Sequence, residues 1–301
     1  MKFQHQQTLD IFLNILFDRY QDKVPAVKKI TEALVAQGVV GSQQEIVNDH
    51  IAFRTLGVPH LGIASFEKIF LHHGYKKRDY YYFEGKKLNA YWYAPPSANY
   101  PRIFMSELIV DQLSEKAQQI IHKYTTPITG DPVDQLNLDD GDAIGRFFHT
   151  ALWPLPSKEE YQALLEESEY AAWVIYNRYY LNHYTISVHA LKHGYNTLEE
   201  FNVFVEDLGI TLNTVGGKIK VSPDGLLRQS STVADLQEAA FAGGKTMSIA
   251  GSYVEFAERL VLPQYQHLAP QEIKPEHRRE GFETGNADKI FESTYLKQTR
   301  S

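Results

Sequence analysis

The sequence predicts an α+β fold made of two β-α-β-β-β units, and three observations carry that prediction. The same order of elements is written twice, once between residues 49 and 108 and again between residues 182 and 258. The first strand of each unit opens on a histidine, His50 in one and His183 in the other. The last strand, Tyr253-Val-Glu-Phe-Ala-Glu-Arg259, sets a carboxylate, Glu255, between Val254 and Phe256. Alternation along a strand puts those apolar neighbours on one face and Glu255 with Ala257 on the other. A carboxylate on an inner strand face is costly unless something pairs with it. A metal ion is one such partner, and His50 and His183 are the ligands expected to meet Glu255 around it.

Thr8 to Tyr20 carries apolar residues at helical spacing, and a second helix opens at Pro25 and stops at Gly38. The pair reads as a helical cap over residues 1–40. In the first module, residues 41–124, Asp49 to Thr55 is a strand and Phe66 to Gly74 closes a helix. Tyr75 to Phe83 and Lys87 to Tyr93 form strands joined by a Glu84-Gly85-Lys86 turn, Pro101 to Leu108 is the fourth strand, and Asp111 to Tyr124 is a helix. A polar, Pro- and Gly-bearing connection from Thr125 to Asp142 precedes a helical stretch from Trp153 to Tyr180, so residues 125–180 are linker and helices. The second module with its tail takes residues 181–301, one compact domain with the first. It starts with a strand over Asn182 to Ala190 and a helix over Thr197 to Leu208, where Thr197 and Glu200 form a capping-box pattern. Short strands follow at Lys218 to Val221 and Leu226 to Thr232, then the strand at Ser252 to Glu258. The tail from Pro270 reads as loosely attached until Gly281-Phe282.

Bulk properties narrow the function classes. The 301 residues are 43% hydrophobic and 22% charged, as expected of a globular chain. A formal net charge of -7 argues against nucleic acid as a partner. No apolar run approaches the roughly 20 residues of a membrane helix, and the polar N-terminus lacks a signal-peptide core, so a cytoplasmic location is expected. Cysteine is absent, which leaves histidine, carboxylate and water as metal ligands.

Alternation places Arg54 on the face of His50 and Ala52, where a metal ligand and a cation together suit an anionic substrate end, or else His50 is a surface residue and Arg54 a salt-bridge partner. On the second unit's first strand His183, Thr185, Ser187 and His189 share a polar face. His189 is a possible additional ligand, yet it lies about 20 Å along the strand at the usual rise. Glu107 occupies the last strand of the first unit as Glu255 does in the second, and is either a fourth member of a symmetric quartet or a strand-end ion-pair partner. Gln229 and Ser231 share a face of the penultimate strand and could bond a substrate carboxylate or carbonyl, or simply each other's neighbours across the sheet.

Paired β-α-β-β-β units with ligands on first and last strands resemble the vicinal-oxygen-chelate superfamily. That resemblance implies a curved mixed sheet, each unit a half-barrel, with the metal in the shared cup. Glu255-Phe-Ala-Glu-Arg259, Gly281-Phe282, Gly285-Asn286 and Ile290-Phe291-Glu-Ser293 resemble the closing segment of 4-hydroxyphenylpyruvate dioxygenases. Asn48-Asp49-His50 with Arg54, Arg102 to Leu108, Glu167 to Trp173, Asn182-His183-Tyr-Thr185, Ser222 to Leu227 and Glu255 to Arg259 together resemble the 2-oxoadipate dioxygenase/decarboxylase family, also called hydroxyglutarate synthase, in its shorter plant-like branch. The resemblance implies His50, His183 and Glu255 as ligands of Fe(II), and Arg54 as the group that holds the far carboxylate of a 2-oxo diacid. Two histidines and one carboxylate leave open positions for a chelating 2-oxo acid and molecular oxygen. The implied reaction turns 2-oxoadipate into 2-hydroxyglutarate and carbon dioxide, with Gln229 or Ser231 orienting the chelating end. Two other readings stay open on the residues alone. A glyoxalase-type isomerase or lyase would work with Ni or Zn and consume no oxygen, and a binding module would return its ligand unaltered.

Overall fold

The computed structural model describes residues 3 and 7–295. Eight strands form one curled mixed sheet in the order β2-β3-β4-β1-β5-β10-β7-β6. The strands of the first half are β1 (Asn48–Leu56), β2 (Lys76–Phe83), β3 (Leu88–Ala94) and β4 (Arg102–Leu108). Those of the second are β5 (Leu181–Ser187), β6 (Lys220–Val221), β7 (Leu227–Ser231) and β10 (Tyr253–Arg259). In each half the first strand pairs in parallel with the last, β1 with β4 and β5 with β10. The halves meet where β1 and β5 run antiparallel, so both histidine-bearing strands lie side by side at the centre of the sheet.

The apolar faces of the central strands build the main core. Phe53 of β1 packs on Phe66 and Phe70 of α3 (Ile63–His72) and stacks on Phe148, at ring separations of 5.0, 5.7 and 5.4 Å. α1 (Thr8–Lys23) buries Phe12, Leu13, Leu16, Phe17 and Tyr20 in this core, and α2 (Pro25–Ala36) buries Val27, Ile30 and Leu34. Tyr20 reaches the sheet itself. Its hydroxyl donates to the carbonyl of Tyr253 on β10 and accepts from the amide of Tyr184 on β5. With that much apolar surface committed, the N-terminal helices brace the central strands. Among the described residues no helix is long and apolar enough to cross a membrane.

Several sequence expectations change. The Trp153 to Tyr180 stretch is two helices, α6 (Lys158–Glu167) and α7 (Glu169–Asn177), because the Ser168 hydroxyl leaves the helical path to accept from the amide of Ala171. The strand expected over Asn182 to Ala190 ends at Ser187 and turns into a single 3₁₀ turn, which takes His189 off the strand. A hairpin of β8 (Leu236–Ala240) and β9 (Thr246–Ala250), a separate two-stranded sheet, stands where no strand was read. Its first strand, Leu-Gln-Glu-Ala-Ala, has weak strand propensity and gives little signal. The tail is fastened already before Gly281: Leu262 donates to the carbonyl of His277, and the Arg278 guanidinium donates to the carbonyl of Arg259 at 2.8 Å. The remaining helices are α4 (Glu115–Thr125), α5 (Gly141–Phe147), α8 (Leu198–Asp207), capped by Thr197 as its sequence predicts, and α9 (Thr284–Ile290).

Candidate metal centre and active site

Three side chains converge on the inner face of the central strands. His183 Nε2 lies 3.4 Å from His50 Nε2 and 3.2 Å from Glu255 Oε2, and His50 Nε2 lies 3.5 Å from the same oxygen. Among the described residues, these three form the cluster of His, Asp and Glu groups that could hold a metal ion. Two imidazole nitrogens and one carboxylate oxygen, all almost completely buried, are a donor set suited to a divalent transition metal with open positions. Thr185 Oγ1 sits 3.0 Å from His50 Nε2. Phe282 meets the His50 ring edge-on at 4.8 Å, and Tyr253 stacks on His183 at 4.8 Å.

Each of the three is held from behind. Asp49 Oδ1 takes His50 Nδ1 at 2.9 Å, and Asn182 Oδ1 takes His183 Nδ1 at 3.0 Å. Both contacts turn Nε2 towards the cluster, the arrangement that fixes the tautomer and direction of a metal-binding histidine. Gln229 Nε2 donates to Glu255 Oε1 at 2.6 Å. Burial by itself would raise the Glu255 carboxyl, but the imidazoles of His50 and His183 outweigh it and hold the group down to about 2. Burial pushes His183 down against the pull of Glu255, whereas Glu255 and Asp49 more than offset burial at His50 and draw it up. An ionised Glu255 beside a neutral His183 is the state a metal requires, and His50, drawn up, would release its proton on binding one.

Behind Asp49 lies a buried ion pair. Arg259 Nε and Nη2 donate to the two Asp49 oxygens at 2.7 and 2.9 Å. Against the cost of burial, this guanidinium and that of Arg102 keep Asp49 well below the usual carboxylate range. Breaking such a pair strands a charge, at a cost of about 3–5 kcal/mol. Asp49→Asn should therefore lower the unfolding free energy of the metal-free protein by that measure, read as a lower urea midpoint, and weaken metal binding about 10–100-fold. An unchanged midpoint in a urea titration would contradict the role given to this pair.

The strand register corrects the expected quartet. His50 pairs with Arg102 and His183 with Tyr253, while Thr55, five residues after His50, pairs with Glu107. Counting the same five residues on from Tyr253 reaches Glu258, so Glu107 corresponds to Glu258, and Glu255 corresponds to Phe104. The contacts agree. Glu107 Oε2 accepts from the amide of Ile63 at the start of α3, and Glu258 Oε2 accepts from the amide of Leu198 at the start of α8. Each caps the helix of its own half, and neither reaches the cluster. Glu258 and Arg259 are both buried and structural. His189 accepts from the backbone amide of Arg259, and burial pushes its imidazole down to about 4.

The remaining expected residues have these places. Arg54 is buried beneath the rings of Tyr170, Trp173 and Phe291, 5.0, 5.2 and 5.6 Å from its guanidinium carbon. It donates to Thr294 Oγ1 at 3.2 Å and to the carbonyl of Phe291 at 3.3 Å. Among the described residues its Nε has no hydrogen-bond partner, and it forms no ion pair with a carboxylate. The buried Tyr253 hydroxyl likewise has no hydrogen-bond partner at normal distance among the described residues, and its charged neighbour is Arg54. Gln229 is engaged on both sides of its amide, by Glu255 and by Asn286. Ser231 Oγ shares a hydrogen bond with Ser293 Oγ at 2.9 Å.

A family model described as 2-oxoadipate dioxygenase/decarboxylase matches residues 12–274. The chain belongs to that family. A chloroplastic 2-oxoadipate dioxygenase/decarboxylase of Arabidopsis thaliana is 47% identical over 93% of this chain and 75% of its own length. A chloroplastic/amyloplastic counterpart of Oryza sativa subsp. japonica is 46% identical over 91% and 75%. A crystal structure of the hydroxyglutarate synthase from Oryza sativa, in complex with 2-oxoadipate, superposes with a TM-score of 0.88 at 44% identity, over 96% of this chain and 93% of that one. The plastid location carried in the names of both relatives overturns the cytoplasmic expectation, which rested on a polar N-terminus and the lack of a membrane-length apolar run.

Part of the candidate site lies outside what the sequence pattern shows. Asp49, Asn182, Asn286, Tyr253 and Phe282 all touch the cluster or its supports, and none was assigned a role. One signal was available: each candidate histidine follows a residue with a side-chain acceptor, Asp49 or Asn182, as second-sphere orientation requires.

Proposed function

We propose that this protein is an Fe(II)-dependent 2-oxoadipate dioxygenase/decarboxylase that forms 2-hydroxyglutarate and carbon dioxide. The observation that carries the proposal is Arg54, a buried cation that forms no ion pair with a carboxylate among the described residues, on the strand that also presents His50. An uncompensated buried charge is costly unless a ligand completes it. A diacid with a 2-oxo group at one end answers both features. His50, His183 and Glu255 would hold the metal, which when bound would bind the 2-oxo acid and activate oxygen.

The chain's own residues do the rest. Arg54 takes the far carboxylate by charge-assisted hydrogen bonds, with its free Nε turned to that use and the Tyr253 hydroxyl as a neighbouring donor. The rings of Tyr170, Trp173, Phe282 and Phe291 keep water out, which protects a reactive centre and strengthens the Arg54 contact. Asp49, Asn182 and Gln229 hold the three ligands in direction. Both oxygen atoms of O₂ are accounted for in the products: one completes the new carboxylate and one becomes the hydroxyl.

The test is oxygen uptake by protein loaded with Fe(II) and given 2-oxoadipate. The expected result is uptake matched one to one by carbon dioxide, and none with the Ni(II) or Zn(II) protein. Turnover with Ni(II) or Zn(II) and no oxygen uptake would replace this reading with an isomerase or lyase.

A further inference from the structure

Asn286 of α9 is buried, and its amide nitrogen faces three oxygens: the backbone carbonyls of Leu227 and Lys220, at 3.3 and 3.4 Å, and Gln229 Oε1, at 3.1 Å. Backbone carbonyls only accept hydrogen bonds. The orientation of Asn286 is therefore forced, since a flipped amide would set its oxygen against three others. Gln229 is forced in turn. Its oxygen is taken by Asn286, so its NH₂ faces Glu255 Oε1 at 2.6 Å. Glu255 is then left with one committed oxygen and one free oxygen. The free one, Oε2, is the atom that lies 3.2 and 3.5 Å from the histidine nitrogens.

We propose that Asn286 is a positioning residue that acts through Gln229 to set which oxygen of Glu255 faces the metal, so that the carboxylate ligates through Oε2 alone. The polarity of the site is thereby dictated by two backbone carbonyls of the β6–β7 edge and a side chain from the C-terminal segment. A carboxylate free to swing would close on the metal with both oxygens and occupy a position the substrate needs. This inference rests on the metal-site reading above.

The experiment is a Co(II) titration of the metal-free full-length chain, followed by visible absorption, with thermal unfolding of each metal-free variant alongside. The proteins are wild type, Asn286→Ala, Asn286→Ser, Gln229→Leu, the Asn286→Ala/Gln229→Leu double variant and His183→Ala. Asn286→Ala and Gln229→Leu should each weaken Co(II) binding about 10–100-fold and alter the absorption of the bound ion. The double variant should be no weaker than Gln229→Leu, because the two residues form one chain of contacts. Asn286→Ser, which keeps a donor, should recover part of the loss. Folded Asn286→Ala that binds Co(II) like wild type overturns the proposal, as does a double variant whose losses multiply. Wild type that binds no better than His183→Ala overturns the metal site itself, and the proposal with it.

Discussion

His183→Ala should abolish metal-dependent oxygen uptake while leaving the protein folded. The substitution removes one of three ligands from a cluster whose donor atoms lie 3.2 to 3.5 Å apart. No described His, Asp or Glu stands ready to replace it. His189 is tied to the backbone of Arg259, and Glu107 caps α3. Stabilisation by a bound metal amounts to several kcal/mol, so a fall in kcat/KM of about 10³-fold or more is expected. Oxygen-electrode rates for wild type and variant, each with measured metal content, check this. Far-ultraviolet circular dichroism separates a lost ligand from a lost fold. Equal rates would remove His183 from the site.

The second large effect is at Arg54. Arg54→Met should lower kcat/KM for 2-oxoadipate by about 10²-fold or more, since two charge-assisted hydrogen bonds at about 1.5–3 kcal/mol each are lost. The same variant should turn over 2-oxohexanoate, which has the same chain and no far carboxylate, at close to the wild-type rate. The stability change runs opposite to intuition. Arg54 is buried among aromatic rings and has no carboxylate partner among the described residues, so an apolar side chain of similar length should leave the urea midpoint unchanged or raise it. A parallel loss with both substrates would show that Arg54 supports the site without reading the substrate.

Much of the fold is written locally. The helices announce themselves through Pro25, Thr197 with Glu200, and the apolar spacing of Leu9 to Tyr20, and the strands of both halves through their β-branched and aromatic runs. The β8–β9 hairpin is not, because Leu236 to Ala240 has neither alternation nor strand-forming residues, and its pairing with Thr246 to Ala250 is a tertiary fact. The site divides the same way. His50, His183 and Glu255 could be chosen because faces follow from alternation, and because β10 keeps an unbroken register with both neighbours. The pairing of Glu107 with Glu255 failed for a related reason. Sequence position on the last strand does not give the register, and only the ladder shows Glu107 opposite Thr55 and so equivalent to Glu258. The supports of the site come from far along the chain: Arg259 meets Asp49 across 210 residues, and Thr294 meets Arg54 across 240. No local pattern encodes such contacts.

The central claim is that one buried centre couples decarboxylation of a diacid to insertion of oxygen. Isotope labelling tests it most directly. Fe(II)-loaded protein and 2-oxoadipate under ¹⁸O₂ should give 2-hydroxyglutarate carrying label in both the new carboxylate and the hydroxyl. A product whose hydroxyl oxygen comes from water, or carbon dioxide released with no labelled product, would contradict it.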